Sequence, residues 1–239
     1  LWKAAVGCIF AIAVVKQLFG GLGCNFANPA ITGRVFLLLS FAGDMTTWVK
    51  PFYYHGLSIG NQLSSSAGSL DLDAVTSATP LVTGTESLSN LFLGNVGGCI
   101  GETSALALLL GGLFLIFTRI ISPSTPIAYL GSLGILTFFH ALATGGSLTE
   151  VPYALLSGGV MIGAFFMATD YVTTPITTKG KWIFGIGCGI LTFVIREFAS
   201  MPEGCSFSIL LMNLLTPYID KFTMTKPLGA KPIKQKEEA

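Results

Sequence analysis

Residues 1–40 read LWKAAVGCIFAIAVVKQLFGGLGCNFANPAITGRVFLLLS. The first 19 are apolar enough and long enough to cross a bilayer, which takes about 20 residues of helix. The next eleven, GGLGCNFANPA, are dense in Gly and Asn and carry Pro29 near their end. That segment is too polar for lipid and too apolar for a surface loop. Irregular backbone at membrane depth is tolerated only where protein or a cavity surrounds it. The apolar helix then resumes at ITGRVFLLLSFAG. A spanning segment, a break and a short helix therefore predict a membrane protein built from interrupted helices.

The rest of the chain agrees. It has 239 residues, 51% hydrophobic and only 10% charged, against about 25% charge in an average soluble domain. Mean hydropathy is +0.72. The net charge of +1 offers no basic field for nucleic acid. Glycine reaches 29 residues, as suits closely packed membrane helices. The five cysteines, Cys8, Cys24, Cys99, Cys188 and Cys205, form no CxxC pair and are expected to be small buried hydrophobes. Cys24 and Cys99 as cluster ligands are the less favoured alternative, since a four-thiolate site needs two more.

Further apolar runs follow at about 102–118, 126–143, 152–168 and 182–199, with a shorter one at about 206–219. Residues of about 45–90 form one long polar stretch that must lie in water. The expected division is a transmembrane domain over 1–220, containing an outer loop and re-entrant segment at 45–100, and a basic tail over 221–239. That tail carries Lys221, Lys226, Lys231, Lys234 and Lys236, which places it in the cytoplasm by the distribution of lysine and arginine. Counting back across the spans puts Lys179, Lys181 and Arg119 on the same side. The 45–90 stretch, with Lys50 alone, then falls outside. Arg196 dissents, with Glu197 beside it as an expected partner.

Two stretches echo each other. Gly23, Cys24 and Ala30 match Gly98, Cys99 and Ala105 at one constant offset, and each Gly-rich break precedes an apolar helix. With the expected topology the two helices run in opposite senses, as in an inverted repeat.

The polar stretch contains Asp73-Ala74-Val75-Thr76-Ser77-Ala78-Thr79-Pro80-Leu81. By local physics it is a turn: Pro80 pushes Thr79 to an extended conformation, and small hydroxyl residues populate turns. Its wording, however, resembles the flavin-attachment sequence of a family of membrane subunits. The family includes the D-type subunit of the Rnf complex (ferredoxin:NAD oxidoreductase) and the B-type subunit of the sodium-pumping NADH:quinone reductase. Residues 16–36, the segment GETSALALLLGGLFLI and the segment ATDYVTTP resemble the family in the same order. The wording favours the Rnf subunit. The family has additional N-terminal helices, which fits a chain that opens abruptly without Met.

The resemblance implies several expectations. The fold is an all-α polytopic inverted-repeat bundle similar to the urea channel. Thr79 carries FMN through a phosphoester, within a motif formed by Asp73, Thr76, Ser77 and Ala78. Ser77 stands where the family usually has glycine, and spacing alone leaves Thr76 as a second acceptor. Asn25 and Asn28 either satisfy backbone groups at the break or help to hold a non-covalent riboflavin through their amides. Glu102 and Asp170 are carboxylates at helix ends. They read as ion-pathway residues or as local electrostatic and capping groups. His55 and His140 read as structural. The implied protein works in the bacterial plasma membrane beside flavin- and iron–sulfur-bearing partner subunits, as part of a translocase. It couples electron transfer from ferredoxin to NAD with Na⁺ or H⁺ export. The sequence has no Gly-rich dinucleotide motif by which this chain itself would bind NAD. A channel without redox chemistry and a structural anchor are the competing readings.

Overall fold

The structure, a computed structural model, describes residues 1–21, 23–46, 48–49, 76–77, 86–99, 101–199 and 204–224. Four of the described helix starts carry a side chain that satisfies their first N–H groups. Asn28 accepts from the Ala30 and Ile31 N–H groups at the head of α2 (Pro29–Ser40), whose Pro29 is preset for a first helical turn. Ser87 caps a short helix, α4 (Leu88–Leu93), and Ser104 caps α5 (Ala105–Phe117). Thr177 caps α9 (Thr178–Phe198).

The chain begins with α1 (Trp2–Ile9), which widens without interruption into a π-helix over Phe10–Gln17. The segment expected as one regular span thus changes its winding midway. It packs antiparallel against α2: Phe10 stacks on Phe36 at 4.1 Å and Trp2 meets Phe41 edge-on at 5.4 Å. A methyl group on Gly33 would lie 3.1 Å from the Gly7 carbonyl, so glycine permits this approach. After α2 comes a single helical turn, α3 (Ala42–Met45). A two-residue antiparallel pair then joins Trp48–Val49 to Thr76–Ser77.

Among the described residues, two helices are long and apolar enough to cross a membrane, α6 (Ser124–Thr144) and α9, each of 21 residues. They run parallel, because Gly185 faces Ala128 and Gly189 faces Leu133. A methyl group on Gly189 would sit 2.8 Å from the Tyr129 carbonyl oxygen. Residues four apart on one helix face form the small-residue seam that lets membrane helices approach. The last helix, α10 (Cys205–Thr223), runs antiparallel to α9. Gly204 lies by Ile195, Gly187 by Met212, and Gly180 by Thr223. The short run expected at 206–219 is in fact 19 residues long.

The run expected over 152–168 is two helices. α7 (Glu150–Leu156) and α8 (Val160–Ile162, continuing as a π-helix over Gly163–Met167) are bent by 63°. The chain turns at Ser157–Gly159, where Gly158 has φ +63°. Arg196 explains how the bend is held: its guanidinium donates to the carbonyls of Ala154 at 2.7 Å and Ser157 at 3.1 Å. These belong to the carbonyls that a helix leaves without intrahelical partners at its C-terminus. Arg196 therefore departs from the lysine–arginine rule because it closes a broken helix. Glu197 faces His140 at 3.8 Å.

A buried polar knot fastens the bundle where α6, α9 and α10 meet. The Tyr129 hydroxyl lies 2.7 Å from Thr192 Oγ1 and 3.1 Å from Cys205 Sγ, and Thr192 lies 2.7 Å from Ser208. Thr192 also reaches the Cys188 carbonyl, Ser208 that of Cys205, and the Cys205 thiol that of Gly159. Every hydroxyl proton thus has an acceptor, as burial in a low-dielectric core demands.

Contacts also sort the helix ends. The Tyr171 hydroxyl donates to the Ile120 carbonyl, Thr177 pairs with Thr223 at 2.7 Å, and the Ile176 N–H donates to Asp220 at 3.0 Å. Arg119, Lys179, Lys181 and Lys221 are therefore gathered at one end of the bundle. His140 and Glu197 mark the other.

Candidate functional site

Polar side chains converge where helices are interrupted. At the first break, Gly20, Gly21 and Gly23 take φ values of +111°, +85° and +83°, a region open to glycine at little steric cost. Asn25 donates to the Ala27 carbonyl at 3.0 Å, and Asn28 caps α2. The bonds described for both residues are thus the backbone-satisfying ones.

Asn213 ties this break to the rest of the fold. It is 1% exposed. With its amide oxygen facing the Asn28 N–H at 3.2 Å, its nitrogen donates to the carbonyls of Ile209 and Thr173, both at 3.3 Å. Thr216 adds a second bond to the Thr173 carbonyl at 2.9 Å. Asp170 belongs to the same turn: its carboxylate accepts from the Thr173 hydroxyl at 2.9 Å, and its carbonyl accepts from Thr174. It is not the cap of the next helix, a role that Thr177 fills.

At the second break, Gly94 ends α4 at φ +97° and Gly101 sits at φ +90°. Glu102 and Cys99 bond reciprocally. The Cys99 N–H donates to Glu102 Oε1, and the Glu102 N–H to the Cys99 carbonyl, both at 3.1 Å. The Glu102 side chain is 5% exposed, and Oε2 lies 3.9 Å from Arg34 Nη2. Glu102 also lies against the α7–α8 bend, since a methyl group on Gly159 would meet Oε2 at 3.3 Å. Arg34 projects from α2 and reaches Cys99 Sγ at 3.1 Å and Ser206 Oγ at 2.9 Å. One guanidinium therefore joins the helix after the first break, the second break and α10.

The two short helices run in opposite senses. α2 starts beside Asn213 and passes Ser206 at Arg34, so it opposes α10. α5 starts at the second break and ends by Ile120, at the cation-rich end where α10 ends. The sequence echo at Gly23/Gly98 and Ala30/Ala105 is thus matched by two capped helices of opposed direction.

The expected site residues fall in separate places. Glu102 and Asp170 belong to different clusters, one at each level of the bundle. Thr76 and Ser77 form the strand paired with Trp48–Val49. Asp73, Ala78, Thr79 and His55 lie outside the described residues. The cysteines differ from expectation: Cys188 and Cys205 are buried, Cys8 and Cys24 are exposed, and Cys99 is half-buried in contact with Arg34. Sequence reading passed over Arg34, Asn213 and Arg196 as site residues. An arginine inside an apolar helix is the signal that could have found Arg34. Asn213, a lone amide between Met212 and Leu214 in an apolar run, carried a signal of the same kind.

Interrupted, oppositely directed helices with polar side chains at the breaks define a polytopic membrane protein of the broken-helix class. The chain belongs to the NQR2, RnfD, RnfE family, whose model matches residues 1–229. It is 47% identical over 247 aligned residues to the D-type subunit of the Na⁺-translocating ferredoxin:NAD⁺ oxidoreductase complex of Acetobacterium woodii, covering all of this chain and 70% of that protein. It is 42% identical over 245 residues to the D-type subunit of the proton-translocating ferredoxin:NAD⁺ oxidoreductase complex of Clostridium ljungdahlii, covering 96% of this chain and 69% of that one. A third relative is the D-type subunit of the ion-translocating oxidoreductase complex of Stutzerimonas stutzeri. It is 40% identical over 255 residues, with 95% of this chain and 70% of the relative covered.

Proposed function

We propose that this chain is the D-type membrane subunit of an ion-translocating oxidoreductase complex that couples electron transfer from ferredoxin to NAD with cation export. The observation that carries the reading is 47% identity across the whole chain to a subunit of that name. Of the first two relatives described, one is named for sodium and the other for protons. The coupling ion is accordingly proposed as a small monovalent cation.

Thr79 is proposed to hold FMN as a phosphoester, within the segment Asp73–Thr79. The residues fit the group: a phosphoester needs an alcohol oxygen, and the segment offers Thr76, Ser77 and Thr79. Pairing of Thr76–Ser77 with Trp48–Val49 gives the segment a backbone anchor. Bound there, the flavin would supply electron-transfer chemistry, while the chain positions it and excludes competing reactions. Asn25 and Asn28 are proposed as amide partners of a second flavin, riboflavin, at the first break. Capping engages the oxygen of Asn28, and its amide hydrogens are the donors such a ring needs.

Glu102 and Asp170 are proposed as stations of the cation path, because both carboxylates sit at interrupted backbone where carbonyl oxygens are close. The protein is placed in the bacterial plasma membrane, with the cation-rich end cytoplasmic and the flavin segment outside. Flavin- and iron–sulfur-bearing subunits are its proposed partners.

Denaturing gel electrophoresis with in-gel ultraviolet fluorescence tests the reading. A fluorescent wild-type band that is lost in Thr79→Ala and kept in Thr76→Ala is expected. A dark wild-type band would overturn the redox role and leave a channel or an anchor in its place. Fluorescence lost only in Thr76→Ala would move the attachment site.

A further inference from the structure

At the cation-rich end lies a cavity of about 230 Å³, between the start of α6, the 169–176 turn and the first turn of α9. It is smaller than the roughly 300–1,000 Å³ of sites that enclose a drug-sized ligand, so a whole flavin nucleotide does not fit. Among the described residues its one charged lining group is Lys181, joined by Ser122, Thr125, Thr169, Tyr171 and Thr174. Among the described residues Lys181 forms no ion pair. The nearby carboxylates are turned elsewhere: Asp220 accepts from the Ile176 N–H and Asp170 from Thr173.

The hydroxyls decide what the cavity takes. Thr169 donates to the Phe165 carbonyl, Thr174 to that of Asp170 and Tyr171 to that of Ile120. Their protons are spent, and they present oxygen lone pairs. The cavity therefore offers one ammonium beside these three acceptors, with the Ser122 and Thr125 hydroxyls able to donate or accept. A matching ligand carries an anionic group together with its own hydroxyl donors.

The location fixes the source of such a ligand. Tyr171 and Tyr218 are exposed at this end and Trp182 is partly so, with Ile176 exposed at the rim. Aromatic side chains beside lysines mark the headgroup level of a bilayer, and isoleucine at the rim suits the glycerol and acyl region. We infer that this cavity binds the headgroup of an anionic phospholipid with a polyol head, of the phosphatidylglycerol type. Its phosphodiester meets Lys181, and its glycerol hydroxyls donate to Thr169 and Thr174. Phosphatidylcholine brings a cation toward Lys181 and has no hydroxyl to donate.

The test uses the full-length subunit in its purified complex, in nanodiscs doped with photoreactive phosphatidylglycerol or photoreactive phosphatidylcholine. Cross-links are mapped by mass spectrometry to residues 120–125 and 169–181. A lysine near the membrane surface is worth about 1 kcal/mol, so labelling should favour phosphatidylglycerol about fivefold. Lys181→Gln should abolish that preference. Lys181→Arg should keep it, as should Lys179→Gln, which removes the same charge from an exposed neighbour outside the cavity. Equal labelling by both lipids, or equal loss in Lys179→Gln and Lys181→Gln, would overturn the inference. Displacement of the lipid by millimolar inorganic phosphate would make this a free-anion site and overturn it too. If Lys181→Gln does not assemble, the wild-type lipid ratio and the phosphate competition decide alone.

Discussion

Arg34 Nη2 lies 3.9 Å from Glu102 Oε2, joining the helix that follows one break to the turn that forms the other. The separation exceeds that of a direct hydrogen bond. The pair acts through charge, while Ser206 and Cys99 hold the guanidinium in place. Glu102 gains a countercharge where a lone carboxylate would be expensive.

Arg34→Met should therefore destabilise the protein. Removing one partner of a buried pair costs about 3–5 kcal/mol. The Arg34 side chain is 24% exposed, so on the order of 2–4 kcal/mol is expected after screening. Adding Glu102→Gln to Arg34→Met should recover about 1 kcal/mol or more, because the stranded charge is gone. Thermal unfolding of the four proteins in nanodiscs measures the cycle. Additive losses would show that the two side chains do not interact.

Gly189→Ala should weaken the α6–α9 seam. The new methyl would sit 2.8 Å from the Tyr129 carbonyl and 3.0 Å from the Leu133 nitrogen. Both are backbone atoms of a packed helix, which cannot swing aside as a side chain does. Overpacking of this kind costs about 1–3 kcal/mol. Gly131→Ala provides the contrast, since nothing lies within 4 Å of its methyl position. A helix interior favours Ala over Gly by about 1 kcal/mol, so Gly131→Ala should be neutral or mildly stabilising. Melting temperatures of the two single variants check the difference in sign.

The bend at Ser157–Gly159 should depend on Arg196. Its two bonds to the Ala154 and Ser157 carbonyls are charge-assisted, at about 1.5–3 kcal/mol each. Arg196→Met should open the bend and raise amide hydrogen exchange over residues 150–159. Arg196→Lys should restore only part of the protection, because an ammonium lacks the planar fork that spans two carbonyls. Unchanged exchange in Arg196→Met would show that the glycines alone hold the bend.

The sequence displayed the interruptions in plain form. Gly and Asn clusters at 20–28 and Gly at 94–101 announced breaks, and Pro29 announced where a helix resumes. These are local backbone preferences, so a local reading finds them. The bend after Leu156 escaped that reading because Ser157-Gly158-Gly159 is a short signal, without Asn or Pro, inside an otherwise apolar run. Only Gly158 at φ +63° and the reach of Arg196 distinguish it from a continuous span. The gathering of Arg119, Lys179, Lys181 and Lys221 at one end was likewise legible from counting spans, since each crossing reverses the chain.

Residue order alone specified a lipid-soluble helical chain, the breaks at 20–28 and 94–101, and the family wording around Thr79. Composition, periodicity and glycine content act residue by residue and need no partner in space. Tertiary structure alone decided that Arg34 meets Glu102, that Asn213 bridges Asn28 and Thr173, and that Lys181 faces a cavity. These contacts join residues far apart in the chain. Their geometry depends on helix direction and depth, which follow from how glycine seams and buried polar bonds pack the bundle.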